Sequence, residues 1–188
     1  MRLRVVLPVA LAALFLLGAC GSSSPPQASL KTSTGPTTVT YEPAKATPSI
    51  SAKMICTTEV RGELGDTLGV KPTRVTAPTW KDHVYSCTYI YPKGSFVLSV
   101  KELVSEQTTT DYFNAQKQKF GAKQNLFGLG QGAFVTKSDD VVVRKDYKVM
   151  LVDVTNVPKA DAAFVPAMSR SDVAINIASV IMSCWAGA

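Results

Sequence analysis

Val84-Tyr85-Ser86-Cys87-Thr88-Tyr89-Ile90-Tyr91 alternates without a break. Tyr85, Cys87, Tyr89 and Tyr91 fall on one side, and Val84, Ser86, Thr88 and Ile90 on the other. That is the period of a β-strand, whose successive side chains point to opposite faces. Pro92-Lys93-Gly94-Ser95 follows as a turn, and Phe96 to Leu103 reads as a second strand. A connection this short joins antiparallel neighbours, because a parallel partner needs a crossover of about a dozen residues. The stretch therefore predicts a hairpin, and with it an antiparallel sheet. The tyrosine stripe beside Cys87 suits a face packed against a helix, with the lining of a ligand pocket as the alternative.

Upstream, Val60, Leu64 and Leu68 recur at i, i+4 and i+8, with Glu59 in the first turn and Gly69 placed to end the run. This predicts a helix over Thr57 to Leu68. Gly62 and Gly65 each cost it about 1 kcal/mol relative to alanine, so it must lean on packing. A loop through Pro72 and Pro78 leads to Trp80. Downstream, Thr108 and Asp111 have the form of a capping box, followed by a helix over Thr109 to Phe120 with Phe113, Gln116 and Phe120 on one face. Gly121 stops it.

Beyond a glycine-rich loop, three short strands are expected near Ala133–Lys137, Val141–Arg144 and Tyr147–Val154. They reverse at Asp139-Asp140 and Lys145-Asp146. Pro158 and Pro166 bracket an irregular connection. A last helix, with Ser171 as its cap, carries a stripe of Val173, Ile177, Val180, Ile181 and Cys184. The predicted class is α+β: an antiparallel sheet of about five strands packed with helices in the order α-β-β-α-β-β-β-α, similar to an α/β/α sandwich, over residues 54–188.

The amino-terminal third has a different character. Arg2 and Arg4 precede an apolar run from Val5 to Leu17 that contains Pro8. The run is shorter than the roughly 20 apolar residues of a membrane span and has the order of a secretory signal. Leu17-Gly18-Ala19-Cys20 resembles the lipobox of bacterial lipoproteins, where the peptide is cut before the cysteine and its sulfur carries diacylglycerol. The resemblance implies a signal peptide over 1–19, lipidation of Cys20, and a protein held at the extracytoplasmic side of the cell membrane. Acyl chains hold through about 0.8 kcal/mol per buried methylene, so several on one cysteine fix the molecule there. Loss of Arg2 and Arg4 lowers the formal net charge from +6 to +4.

Gly21 to Ala52 contains seven Ser, six Thr and five Pro, with few large apolar side chains. Such a segment buries too little surface to offset its ordering entropy, so residues 20–53 are expected to form a disordered, lipidated tether. Its reach would be on the order of 30 Å.

These features together look like a family of small actinobacterial cell-envelope lipoproteins of unassigned molecular function. The landmarks are the lipobox at Cys20, the Ser/Thr/Pro tether, Cys56 at the start of a helix, Ser86-Cys87-Thr88-Tyr89, and Gly128-Leu129-Gly130-Gln131-Gly132-Ala133 before the meander. Related envelope domains imply, by analogy, an α/β/α sandwich similar to the PsbP-like fold. The family supplies no catalytic residues to carry over, and fold analogy alone licenses no activity.

With Cys20 set aside, Cys56, Cys87 and Cys184 remain in an oxidising compartment, an odd number. The preferred disulfide is Cys56–Cys87, with Cys56–Cys184 as its competitor and Cys184 otherwise a buried member of the helix stripe. His83 is the only histidine, and Asp82 beside it in sequence is badly placed to orient its ring in a Ser-His-Asp arrangement. There is no Gly-x-Ser-x-Gly elbow, so no catalytic residue is assigned. Paired cysteine spacings for a metal are missing, and Asp139-Asp140 reads as a solvated turn; no metal or cofactor is expected.

The glycines from 128 to 132 do not match a dinucleotide fingerprint and precede a strand rather than a helix. They suit a close backbone approach or a bend. Arg144, Lys145 and Lys148 cluster with Tyr147 as the single aromatic among them, too few for a stacking platform, which argues against nucleic acid and leaves an anionic group as a partner. The expected function is a non-enzymatic, membrane-anchored binding module for a lipid, a wall-derived ligand or a partner protein. The alternatives are an accessory structural or sensory domain of an envelope complex, and an atypical hydrolase built around His83, Cys184 or a lysine.

Overall fold

The computed structural model describes residues 43–158 and 168–186. Cys20 and its lipobox lie outside the described residues, as does most of the connection between Pro158 and Pro166. Two helices come first, α1 (Ile50–Met54) and α2 (Thr58–Leu68), then two short strands, β1 (Arg74–Val75) and β2 (Thr79–Lys81). The hairpin of β3 (Val84–Tyr91) and β4 (Gly94–Glu102) follows, then α3 (Glu106–Phe120). The strands β5 (Ala122–Leu126), β6 (Gly132–Thr136), β7 (Val141–Lys145) and β8 (Lys148–Asp153) lead to α4 (Arg170–Ala186). The class is α+β, as the alternation at 84–91 predicts.

The sheet holds eight antiparallel strands rather than about five. Its order is β1-β3-β4-β8-β7-β6-β5, with β2 also pairing along the outer edge of β3. The added strands carry little sequence signal for a physical reason. β1 and β2 are two and three residues long, too short to show a period. β5, Ala-Lys-Gln-Asn-Leu, is a mostly exposed, bulged edge strand, so no apolar face is needed to hold it. The hairpin joins the meander through β4 and β8, with Leu98 opposite Val152 and Val100 opposite Met150.

Helices cover both faces. On one, Tyr89, Phe96, Leu98, Val141, Val143 and Met150 join Val60 and Leu64 of α2 and Ile177 and Ile181 of α4 in the main core. On the other, the fully buried side chains are Phe134, Val142 and Val149, packed with Tyr112, Phe113 and Phe120 of α3. Val141, Val142 and Val143 show the consequence directly: all three are buried, the outer two into one core and the middle one into the other.

Helix ends follow local hydrogen bonding more closely than the expected boundaries do. Thr57 caps α2 and Gly69 closes it in the left-handed region at φ 66°. The capping box of α3 uses Ser105 and Thr108, not Thr108 and Asp111, so the helix starts three residues early; Asp111 instead accepts from Gln107 Nε2 at 2.9 Å. In α4 the capping hydroxyl is that of Ser169, which accepts from Asp172 N–H at 3.1 Å, rather than that of Ser171.

The expected boundary at Met54 also moves. Ala44 N–H donates to the Leu103 carbonyl at 2.9 Å, Trp80 Nε1 donates to Ala46 O, and Ala52 is fully buried. Ser49 caps α1 while its N–H and hydroxyl both reach the buried Glu102 carboxylate. Composition misreads this stretch because Ser and Thr serve equally as tether residues and as caps.

Cys56 and Cys87 form the disulfide, with Cα atoms 6.1 Å apart. Beside it the Tyr89 hydroxyl donates to the Ile55 carbonyl at 2.7 Å, and Trp185 Nε1 donates to Ser51 O at 2.8 Å. The turn between α1 and α2 is thus fastened to β3 by one covalent and one polar link, and α1 to α4 by another. Cys184 lies buried on the inner stripe of α4, its thiol donating to Glu63 Oε2 at 3.1 Å.

Asp140 is buried rather than solvated. Its carboxylate accepts from Val154 N–H at 2.9 Å and from the Thr136 hydroxyl at 3.2 Å, locking the β6–β7 turn onto the end of β8. Burial pushes this carboxyl above the ordinary range, and the Val154 bond offsets that only in part. A folded-state pKa above the unfolded one adds stability below the unfolded value and loses it as pH rises through the folded one. Asp140→Asn cannot titrate there. In urea melts, the stability of the parent relative to this variant is therefore expected to fall as pH rises from about 4, the unfolded carboxyl's value, through the raised folded one. A pH-independent difference would show that the carboxyl is not perturbed.

Candidate functional site

The two faces of the sheet are not equally covered. Inward-facing residues of β3 and β4 such as Tyr89, Phe96 and Val100 are fully buried, while Ser86, Thr88, Ile90, Val97 and Ser99 on the opposite face are half-buried. The reason lies in α3. Its apolar groups are few, and it packs over β6, β7 and β8, leaving the hairpin side open.

A groove of about 50 Å³ lies where α3 meets the uncovered strands. Val84, Val142, Val149 and Leu151 give its apolar strand surface, and Tyr112, Gln116 and Phe120 its helical wall. Ser99 and Lys101 add a hydroxyl and an ammonium group. The Lys101 ammonium donates to the Asp82 carbonyl at 2.5 Å, which fixes its position at the rim. Burial raises the Tyr112 phenol above its ordinary pKa and keeps it a neutral donor. The volume is far below the roughly 300 Å³ of a pocket that encloses a whole small molecule, so this shape suits one end of a ligand.

The residues singled out by sequence are scattered. His83 sits exposed in the β2–β3 turn at φ 57°, its ring edge-on to Trp80 with centroids 5.6 Å apart. Asp139 adopts φ 74° and pairs with Lys123 at 2.8 Å. Tyr89 and Tyr91 belong to the main core rather than to a pocket, and Tyr89 stacks on Phe96 at 4.9 Å.

The cationic cluster is tied into the fold. Arg144 donates to the Thr110 hydroxyl at 2.7 Å and lies over the Phe113 ring, Lys145 donates to the Trp185 carbonyl at 3.1 Å, and Lys148 is buried. These side chains fasten α3 and α4 to the β7–β8 hairpin. The glycine-rich loop meets its expected role at Gly130. At φ 61°, a Cβ there would stand 2.6 Å from the Arg144 carbonyl oxygen.

Sequence reasoning passes over Ser99, Lys101 and Tyr112. The available signal is the contrast within β4, where Phe96, Leu98 and Val100 alternate with Val97, Ser99 and Lys101. A second is the shortage of large apolar residues on α3, too few to cover a sheet of this width.

By fold and groove this is a three-layer α+β domain with one partly open sheet face. No family model matches the chain, and no curated protein or solved structure matches it either. Among the described residues, no helix is long and apolar enough to cross a membrane.

Proposed function

We propose that the chain is a lipid-anchored envelope protein, akin to the small actinobacterial lipoproteins it resembles, and that it works as a non-enzymatic binding module. The anchor is the diacylated Cys20, and the working face is the groove beside α3. The observation that carries the reading is the pairing of an apolar groove with Lys101, Tyr112 and Gln116 at its sides. Such a site takes the apolar end of a lipid or wall-derived molecule and meets an anionic group with the lysine. Apolar area supplies affinity there, and the few polar groups set orientation.

Native mass spectrometry of the protein extracted from its own membrane tests both parts. The expected spectrum carries acyl mass on Cys20 and a retained ligand. Gln116→Trp, which fills the groove, and Lys101→Glu, which reverses its charge, should each lower ligand occupancy about tenfold, equivalent to ~1.4 kcal/mol. Acylation should be untouched. A retained ligand indifferent to both substitutions would move the site elsewhere.

A further inference from the structure

We propose that one end of the sheet, carrying the β4–α3, β5–β6 and β7–β8 connections, is a docking surface for an anionic bilayer, with Ile50, Val104 and Phe127 as the groups that enter it. Among the described residues these three are the exposed large hydrophobics, at 79, 64 and 94% exposure. Single exposed apolar side chains need no explanation, but several gathered at one end of a fold do.

The topology gathers them. Glu102 and Lys148 face each other at the last rung between β4 and β8, and Val104 follows two residues later. Ile50 adjoins Ser49, whose N–H and hydroxyl bond to that same Glu102 carboxylate. Phe127 belongs to the loop that returns through Gln131, whose N–H donates to the Arg144 carbonyl at 2.8 Å. The Gln131 side-chain oxygen accepts from Asp146 N–H in the β7–β8 turn, also at 2.8 Å. With Gly130 pressed against Arg144 as well, the base of the loop is fixed and Phe127 is held outward.

The position of the chain selects a lipid surface as the occupant. Pro43 and Ala44 lead into the domain at this end, since Ala44 bonds to Leu103 beside Val104. Cys20 lies 23 residues ahead of Pro43. A segment of that length and composition reaches about 25 Å, so an acyl group on Cys20 keeps this end near the bilayer. Lys45 and Lys81 are exposed here and Lys101, Arg144 and Lys145 are half-buried, against Asp82, Glu106 and Asp146; Glu102 and Lys148 are both buried and offset each other. The local excess is positive and favours anionic lipid. Anchorage through Cys20, as proposed above, sets this orientation.

The test uses the mature chain from residue 20 carrying Cys20→Ser, so that no acyl group contributes, with vesicles of phosphatidylglycerol and of phosphatidylcholine. The chain should cosediment with the phosphatidylglycerol vesicles, and Val104→Ser with Phe127→Ser should lower partitioning about tenfold or more. The melting temperature should hold, because both side chains are exposed. Failure of the parent to bind, or equal binding by the variant, overturns the proposal. Self-association without vesicles that the variant abolishes would assign the surface to a second copy and also overturn it. Acyl mass on Cys20 of the native protein is read separately. Its absence alongside vesicle binding removes the anchor and leaves the docking surface; its presence without vesicle binding does the reverse.

Discussion

Cys56→Ala with Cys87→Ala is expected to destabilise the domain by about 3.5 kcal/mol, the chain-entropy cost of releasing a loop of about 30 residues. For a domain of this size that is a fall of more than about 10 °C in melting temperature. The link matters because of where it sits. It joins the residue just after α1 to the centre of β3, and 31 positions separate its ends. Without it, the α1–α2 corner is held to β3 by the Tyr89–Ile55 bond and by apolar packing. A reductant should reproduce the shift in the parent and have no effect on the double variant. Cys184→Ala should leave the reductant response intact, since Cys184 lies against Glu63 and outside the disulfide. Loss of that response in Cys184→Ala would mean that the bond involves Cys184.

Phe134→Ala is the second large effect, expected to cost about 3–5 kcal/mol, the usual range for emptying a buried phenylalanine site. Phe134 is fully buried and meets Phe113 edge-on at 5.3 Å between centroids. Its particular interest is that the core beneath α3 is small. Phe134, Val142 and Val149 are the fully buried side chains there, so one truncation removes much of what holds the helix. Hydrogen exchange should show α3 amides opening well below the global unfolding energy in this variant. Phe96→Ala serves as the control, because Phe96 is equally buried but lies in the opposite core. It should lower global stability while α3 stays coupled to the rest. Equal α3 protection in the two variants would contradict the separate small core.

The two substitutions also bear on function. The groove exists because α3 is too poor in apolar groups to cover the whole sheet face, and the same poverty leaves only a small core beneath it. A helix with few buried contacts can shift to admit a ligand at low energetic cost. The opposite layer, fastened by the disulfide and by Tyr89 and Trp185, supplies the rigid support. Ligand binding at the groove should therefore raise the exchange protection of α3 more than that of α4.

Legibility in the sequence tracks how much of each feature is decided locally. The strand over 84–91, the helix ending at Gly69, the Gly121 stop and the stripe of α4 are all readable, because alternation, capping and 3.6-residue periodicity act between near neighbours. The disulfide is readable only as a preference: Cys56–Cys184 stays open as a competitor until the fold brings Cys56 to Cys87 and sets Cys184 against Glu63. β1, β2 and β5 are not readable. Their residues satisfy hydrogen bonds offered by a neighbouring strand and carry no burial pattern of their own. Asp140 illustrates the same divide: two adjacent aspartates at a turn look solvated, and only the arrival of β8 buries one of them.

By itself the sequence determined the class of fold and most of the apolar faces that make the main core, since apolar period and turn chemistry are properties of short stretches. Only the tertiary structure decided the pairing of β4 with β8, the partial cover left by α3, and the gathering of Ile50, Val104 and Phe127 at one end. Each of those depends on which distant segments meet. That is settled by the packing of two faces of one sheet, not by any stretch of chain read alone.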